Sequence, residues 1–184
     1  MNICVFGAGS DSIDEVYIKK AEELGEALGK RGHALIFGGG ATGMMGAAAR
    51  GFKRGGGKIL SVIPKFFDDK RGDGALYDQA DQVIWTDTMR ERKQQLEDHC
   101  DAFIVLPGGI GTYDEFFETI VLKLFGFQDK PLVVYNINGY YDKLKELFDH
   151  GVEQGFIKEH SSKLYTMFDN PDELLIYLEI CHQL

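Results

Sequence analysis

Seven short apolar runs, separated by stretches with helical spacing, limit what this chain can fold into more than any other feature. The runs cover 3–6, 34–37, 59–63, 82–85, 102–106, 132–135 and 164–168. The middle ones are almost continuously apolar, as strands buried on both faces are. Strand–helix alternation of this kind favours a parallel sheet, because each crossover helix returns the chain to begin a neighbour in the same direction. The expected class is therefore α/β, a doubly wound parallel sheet with helices on both faces. No domain boundary, internal repeat or low-complexity segment interrupts it, so a single domain over 1–184 is expected.

Helix ends are legible from capping chemistry. A first helix is expected from near Asp14 to Gly32, with Ala21, Leu24, Ala27 and Leu28 as its apolar stripe. A second follows Gly43 to about Arg54, and its Gly46 and Ala47–Ala49 imply very close packing on the sheet. A third begins at Thr88 with the capping-box pattern Thr88-x-x-Glu91. The fourth is expected near Thr112, the fifth over roughly 140–153, and the last after Asn170 with Pro171 in its first turn. The longest stretch without periodicity is 64–80, read as a lid or a connection.

Composition excludes several classes. With 29 acidic against 20 basic residues, the formal charge of −9 disfavours binding to a nucleic-acid polymer. No apolar run approaches the roughly eighteen residues a membrane span needs. Residues 1–6 enter a strand without a basic segment, so no signal peptide is expected. Cys4, Cys100 and Cys181 are odd in number without C-x-x-C spacing, which fits reduced thiols in the cytoplasm. The five histidines show no metal-ligand spacing. Neither a metal nor a cofactor is expected.

Two glycine-rich turns remain. Gly38-Gly39-Gly40-Ala41-Thr42-Gly43 satisfies G-x-G-x-x-G, but it follows the second run and has no acid about twenty residues on to hold a ribose. A dinucleotide site is therefore rejected. Gly39, Gly40 and Gly43, with Ser10 of the first turn, are candidates for a second surface facing a phosphate or sugar. Pro107-Gly108-Gly109-Ile110-Gly111-Thr112-Tyr113-Asp114-Glu115 directly follows a buried run and opens a helix. Free amides and the positive dipole end at a helix start suit an anion. Gly108, Gly109, Ile110, Gly111 and Thr112 are thus candidates for phosphate binding. Glu115 stands one turn further on. Arg92 and Lys93 belong to the helix preceding this run, and its start emerges on the same sheet edge. Spacing alone leaves two readings open. Glu115 either reaches back to Thr112 as a capping box or faces a crevice with Arg92, and Arg92 and Lys93 are either site residues or a solvated face.

These same residues carry a family resemblance. The 107–115 segment resembles the P-G-G-x-G-T-x-x-E signature of the Lonely-guy (LOG) proteins, often labelled lysine decarboxylase-like. Met89-Arg90-Glu91-Arg92-Lys93 is similar to that family's M-x-x-R-K stretch, and the turn from Phe37 to Gly46 to its Y-G-G-G-x-x-G-L-M-G segment. The resemblance continues through Asp129-Lys130-Pro131 and Asn138-Gly139-Tyr140-Tyr141 to Gly155-Phe156-Ile157. It implies a Rossmann-like hydrolase that splits the N-glycosidic bond of a nucleoside 5′-monophosphate, either a cytokinin riboside 5′-monophosphate or AMP, into free base and ribose 5-phosphate. It further implies Arg92 and Glu115 as the catalytic pair, Lys93 beside the phosphate, and a homodimer or larger homo-oligomer with its sites beside the interface. The alternative is a nucleotide-binding or carrier protein using the same cradle without chemistry. Three departures stand out: Arg90 where the family has His, Gly7-Ala8-Gly9-Ser10 for its C-G-S-S turn, and no clear match within 68–78 to a loop glutamate. The decarboxylase label has no support in the residues, since no lysine stands in a recognisable pyridoxal-phosphate setting.

Overall fold

A computed structural model describes residues 1–67 and 75–183. Seven strands form one parallel sheet: β1 (Asn2–Phe6), β2 (Ala34–Phe37), β3 (Ile59–Pro64), β4 (Gln82–Thr86), β5 (Ala102–Val105), β6 (Leu132–Tyr135) and β7 (Thr166–Phe168). The spatial order is β4-β3-β2-β1-β5-β6-β7. Winding runs outward from β1 to β4, then returns to β1's other side and runs outward again to β7. The direction reverses between β1 and β5, whose register pairs Phe6 with Val105. Side chains of these two central strands are almost fully excluded from solvent on both faces, which explains why their sequences show no polar alternation.

The described residues include six α-helices, five within crossovers and the last after β7: α1 (Glu15–Lys30), α2 (Gly43–Arg54), α3 (Met89–Asp98), α4 (Ile110–Leu124), α5 (Asp142–Glu153) and α6 (Pro171–Gln183). One core cluster joins α1, α2 and α6 to one sheet face, and the other joins α3, α4 and α5 to the opposite face. The caps form where the residue types require them. Asp14 accepts from the Val16 N–H, Thr88 from the Glu91 N–H, and Asn170 from the Asp172 N–H. Helices α1 and α2 meet backbone to backbone. A Cβ on Gly25 would lie 2.5 Å from the Ala48 carbonyl oxygen, and one on Gly51 would lie 2.1 Å from that of Glu22. Side chains cannot occupy that seam.

Of the 64–80 stretch, residues 68–74 lie outside the described residues, and with them falls most of the segment in which a loop glutamate was sought. Its return leg is ordered against the second glycine turn. Ala41 donates to the Ala75 carbonyl at 2.8 Å, Tyr77 donates to the Gly39 carbonyl at 2.8 Å, and Gly40 pairs with Leu76. The described residues include no helix long and apolar enough to cross a membrane.

Candidate active site at the carboxyl edge of the sheet

Ligands of open parallel sheets bind where the strand order reverses, outside the carboxyl ends of the strands. Here that position is a cleft of about 200 Å³ between the turn after β1 and the turn after β5, lined by Ser10, Asp14, Tyr17, Gly108, Gly109 and Tyr140 among others. The turn at 107–109 leads into α4 with Gly109 as its N-cap. No acceptor among the described residues engages the N–H groups of Ile110, Gly111 or Thr112. Gly109 has φ −94°, and a Cβ at Gly109 or Gly111 would meet nothing within 4 Å. Neither backbone conformation nor packing therefore requires glycine at these two positions. The open space and the free donors are what an incoming anion would use.

One turn along α4, Glu115 does not cap its own helix. Its Oε1 accepts from Arg92 Nη1 at 2.9 Å, and the two side chains are only 12% and 10% exposed. The capping-box reading of Thr112-x-x-Glu115 is thereby replaced, and so is the solvated-face reading of Arg92. Arg92 reaches this position from α3 through a narrow passage. Its Nε donates to the Val62 carbonyl at 3.3 Å, and a Cβ on Gly38 would lie 1.9 Å from Nη2. Glycine at 38 is what admits the guanidinium. Burial pushes the Glu115 carboxyl above the ordinary glutamate range, and Arg92 pulls part of that shift back. A buried carboxylate paired on one oxygen keeps its second oxygen for another partner.

The other expected site residues divide. Ser10 lines the cleft, where its hydroxyl pairs with Ser12 at 2.9 Å. Thr112 is buried against the turn, its hydroxyl 2.1 Å from where a Gly108 Cβ would stand. Lys93 lies outside the cleft but borders the same small cavity as Glu115, between α3 and α4. Burial works against its charge, but Glu118 and Asp114 outweigh that and raise its pKa, and the ammonium lies 3.2 Å from Asp114 Oδ2. Gly39, Gly40 and Gly43 do not line the cleft, and neither do Arg92 and Glu115, the latter bordering that separate small cavity at the α3–α4 junction. Gly43, at φ +60°, passes so close to the first turn that a Cβ would lie 2.5 Å from the Ser10 carbonyl oxygen. The first amides of α2, those of Met44 and Met45, already donate to the Ala8 carbonyl at 2.8 and 3.2 Å. Packing between the two turns accounts for Gly43, whereas Gly39, at φ +81°, packs on the Ile63 side chain and Gly40 on Met45. Gly38, Tyr17 and Tyr140 join the site without having been singled out for it. Gly38 and Tyr140 lie in segments that carry the family resemblance, but their contacts are long-range and gave them no site role from sequence.

The geometry can now be set beside known proteins. A family profile described as "Possible lysine decarboxylase" matches residues 45–178. The Arabidopsis thaliana protein named cytokinin riboside 5′-monophosphate phosphoribohydrolase LOG5 is 37% identical over 177 residues, which make up 96% of this chain and 76% of that protein. This chain belongs to the LOG family. A rice LOG protein, named "Probable cytokinin riboside 5'-monophosphate phosphoribohydrolase LOG4", is 38% identical over 176 residues, 96% of this chain and 75% of its own length. Among solved structures, a molybdenum cofactor carrier protein from Chlamydomonas reinhardtii superposes with a TM-score of 0.71 at 22% identity, covering 100% of this chain and 98% of that one. That likeness is one of fold. The LOG match at 45–178 spans α2 to α6 and includes Arg92, the 107–112 turn and Glu115.

Proposed function

We propose that this LOG protein is an enzyme that hydrolyses the N-glycosidic bond of a nucleoside 5′-monophosphate, of the cytokinin riboside type or AMP, to free base and ribose 5-phosphate. The buried Arg92–Glu115 pair, one turn past a helix start with free amides, is the observation that carries the reading. In it the 5′-phosphate rests on the amides of 110–112, and Gly109 and Gly111 let it come close. Cleavage of the ribosyl C–N bond develops positive charge on the sugar, as in glycoside hydrolysis. The Glu115 carboxylate stabilises that charge and orients the attacking water. The C–N electron pair leaves with the base, and as the water oxygen bonds to the anomeric carbon its proton passes by way of Glu115 to the departing base nitrogen. Arg92 stays protonated and fixes the carboxylate.

The homodimer belongs to the same reading. Ile110, Phe117, Val121 and Leu124 form one exposed stripe along α4, beside Phe125 at 70% and Phe156 at 90% exposure. Of these, Phe117, Leu124, Phe125 and Phe156 border a groove of about 530 Å³. An apolar surface of this extent fits a second copy of the chain, and Ile110 places it next to the phosphate cradle. The unpaired Cys4 and Cys100, both buried, fit a cytoplasmic setting.

The test is to incubate the protein with AMP and with isopentenyl-AMP and to measure free base by chromatography. Release of base and ribose 5-phosphate is expected. Tight binding of both nucleotides without any release would make the cradle that of a carrier and end the hydrolase reading.

A further inference from the structure

The turn that opens α4 has an unusual distribution of hydrogen bonds. Each carbonyl from 106 to 109 is held by a donor. Leu106 accepts from the Tyr141 hydroxyl at 2.7 Å, Pro107 from the Ala8 N–H at 3.2 Å, Gly108 from the Tyr140 hydroxyl at 2.8 Å, and Gly109 from the Tyr113 N–H at 3.0 Å. Against this, the N–H groups from Gly109 to Thr112 have no acceptor among the described residues, while that of Gly108 faces the Tyr141 hydroxyl. The loop's acceptors are thus occupied, and the donors that open α4 stay free.

Two of the four carbonyls depend on adjacent tyrosines from another part of the chain. We infer that Tyr140 and Tyr141 are positioning residues that hold the Leu106 and Gly108 carbonyls away from the bound phosphate and so set the site's preference for an anion. Without Tyr140, the peptide after Gly108 is free to rotate, because glycine lacks the Cβ that would resist it. Rotation would turn an oxygen toward the anion in place of an N–H.

The tyrosines are themselves fixed. Asn136, at the end of β6, accepts from the Tyr141 N–H at 2.7 Å and donates to Asp142 and Asp169 at 2.8 Å each. Asn138 adopts φ 53° between them, and its side chain accepts from Lys20 at 3.0 Å. The two rings pack edge to face at 4.9 Å, and Tyr140 meets Tyr17 across the cleft at 6.2 Å. Tyr141 is 1% exposed, whereas Tyr140 is 39% exposed and lines the cleft. The solvent-facing member can therefore be changed without disturbing the core.

This inference rests on the phosphate reading above, and the experiment separates the two. Ribose 5-phosphate is titrated calorimetrically into wild type and Tyr140→Phe, and steady-state kinetics are measured with whichever nucleotide releases base. Losing one well-placed hydrogen bond should weaken ribose 5-phosphate binding and raise KM by roughly five- to tenfold. Turnover at saturation should stay within about twofold, since phosphate contacts hold ground and transition states alike. Unfolding midpoints should agree within about 2 °C. Tyr141→Phe should shift KM in the same direction. A Tyr140→Phe enzyme with unchanged KM, or one that loses turnover or stability at constant KM, would reduce the tyrosine to packing. Failure of the wild type to bind ribose 5-phosphate would instead overturn the phosphate reading, and this inference with it.

Discussion

At the scale of single residues, the site is defined by what glycine permits. Gly38 lacks the atom that would collide with Arg92, and Gly109 and Gly111 leave room for which the fold has no use. The two cases predict different outcomes. Gly38→Ala should displace the guanidinium from Glu115 and reduce turnover by about a hundredfold, the size typical of a disrupted acid–base arrangement. Steady-state assays would check it, and full activity would show that Arg92 has another route. Gly111→Ala should instead stabilise α4 by up to about 1 kcal/mol, as alanine does inside a helix, while raising KM for the nucleotide. Urea titration beside kinetics would detect this divergence.

Glu115→Gln should cost on the order of a hundredfold or more in turnover with ribose 5-phosphate affinity retained. The pH profile adds a sign. Burial raises the Glu115 pKa above 4.5, so on acidification the carboxylate takes up its proton earlier than an ordinary glutamate. If the ionised form is the working one, kcat/KM falls with decreasing pH at a midpoint above 4.5, and Glu115→Gln loses that limb. A limb unchanged in the Gln variant would assign it to another group.

Among the elements, the seam between α1 and α2 has the narrowest tolerance. A methyl group at Gly51 would press on the Glu22 carbonyl, which is backbone and cannot swing aside. Gly51→Ala should therefore destabilise the protein by about 1–3 kcal/mol, read as a lower urea midpoint with KM unaffected. Element order, sheet class and most boundaries could be read from sequence, because apolar runs and caps are local signals. β2 and β6 occupy the residues expected for them, and Thr88 and Asn170 cap as their types suggest. Among the boundaries that moved by a residue or two, two have clear local reasons. α4 begins at Ile110, before Thr112, because Gly109 serves as N-cap without a side-chain bond. β7 begins at Thr166 because a 3₁₀ turn occupies Glu159–Lys163. In the site, the turn and the acid were legible from their own segment. Arg92 was a candidate neighbour of Glu115 from the shared sheet edge, but the ion pair itself, the passage beside Gly38 and the tyrosine hydroxyls were not legible, since each joins segments far apart in sequence. With Gly109 as N-cap, Glu115 is the sixth residue of α4 and beyond a capping box, and only the folded arrangement brings Arg92 close enough to pair with it.

On the scale of the whole molecule, the reversal of strand order gathers the turns after β1 and β5 at one edge, while α4 carries an apolar flank outward. Val121 is 47% exposed in the middle of that flank. Val121→Lys should leave the monomer folded and shift the assembly toward single chains, measured by sedimentation velocity. A sedimentation profile identical to wild type would move the interface elsewhere.

The head of α4 offers amides to a nucleotide and its flank offers apolar surface to another chain, with only a few turns of rigid rod between the two. Equilibria that share a rod are linked. By whatever factor self-association changes nucleotide affinity, nucleotide must change self-association. In the proposed dimer, where pairing strengthens nucleotide binding, dilution would act as an inhibitor and substrate would oppose it by drawing separated chains back together.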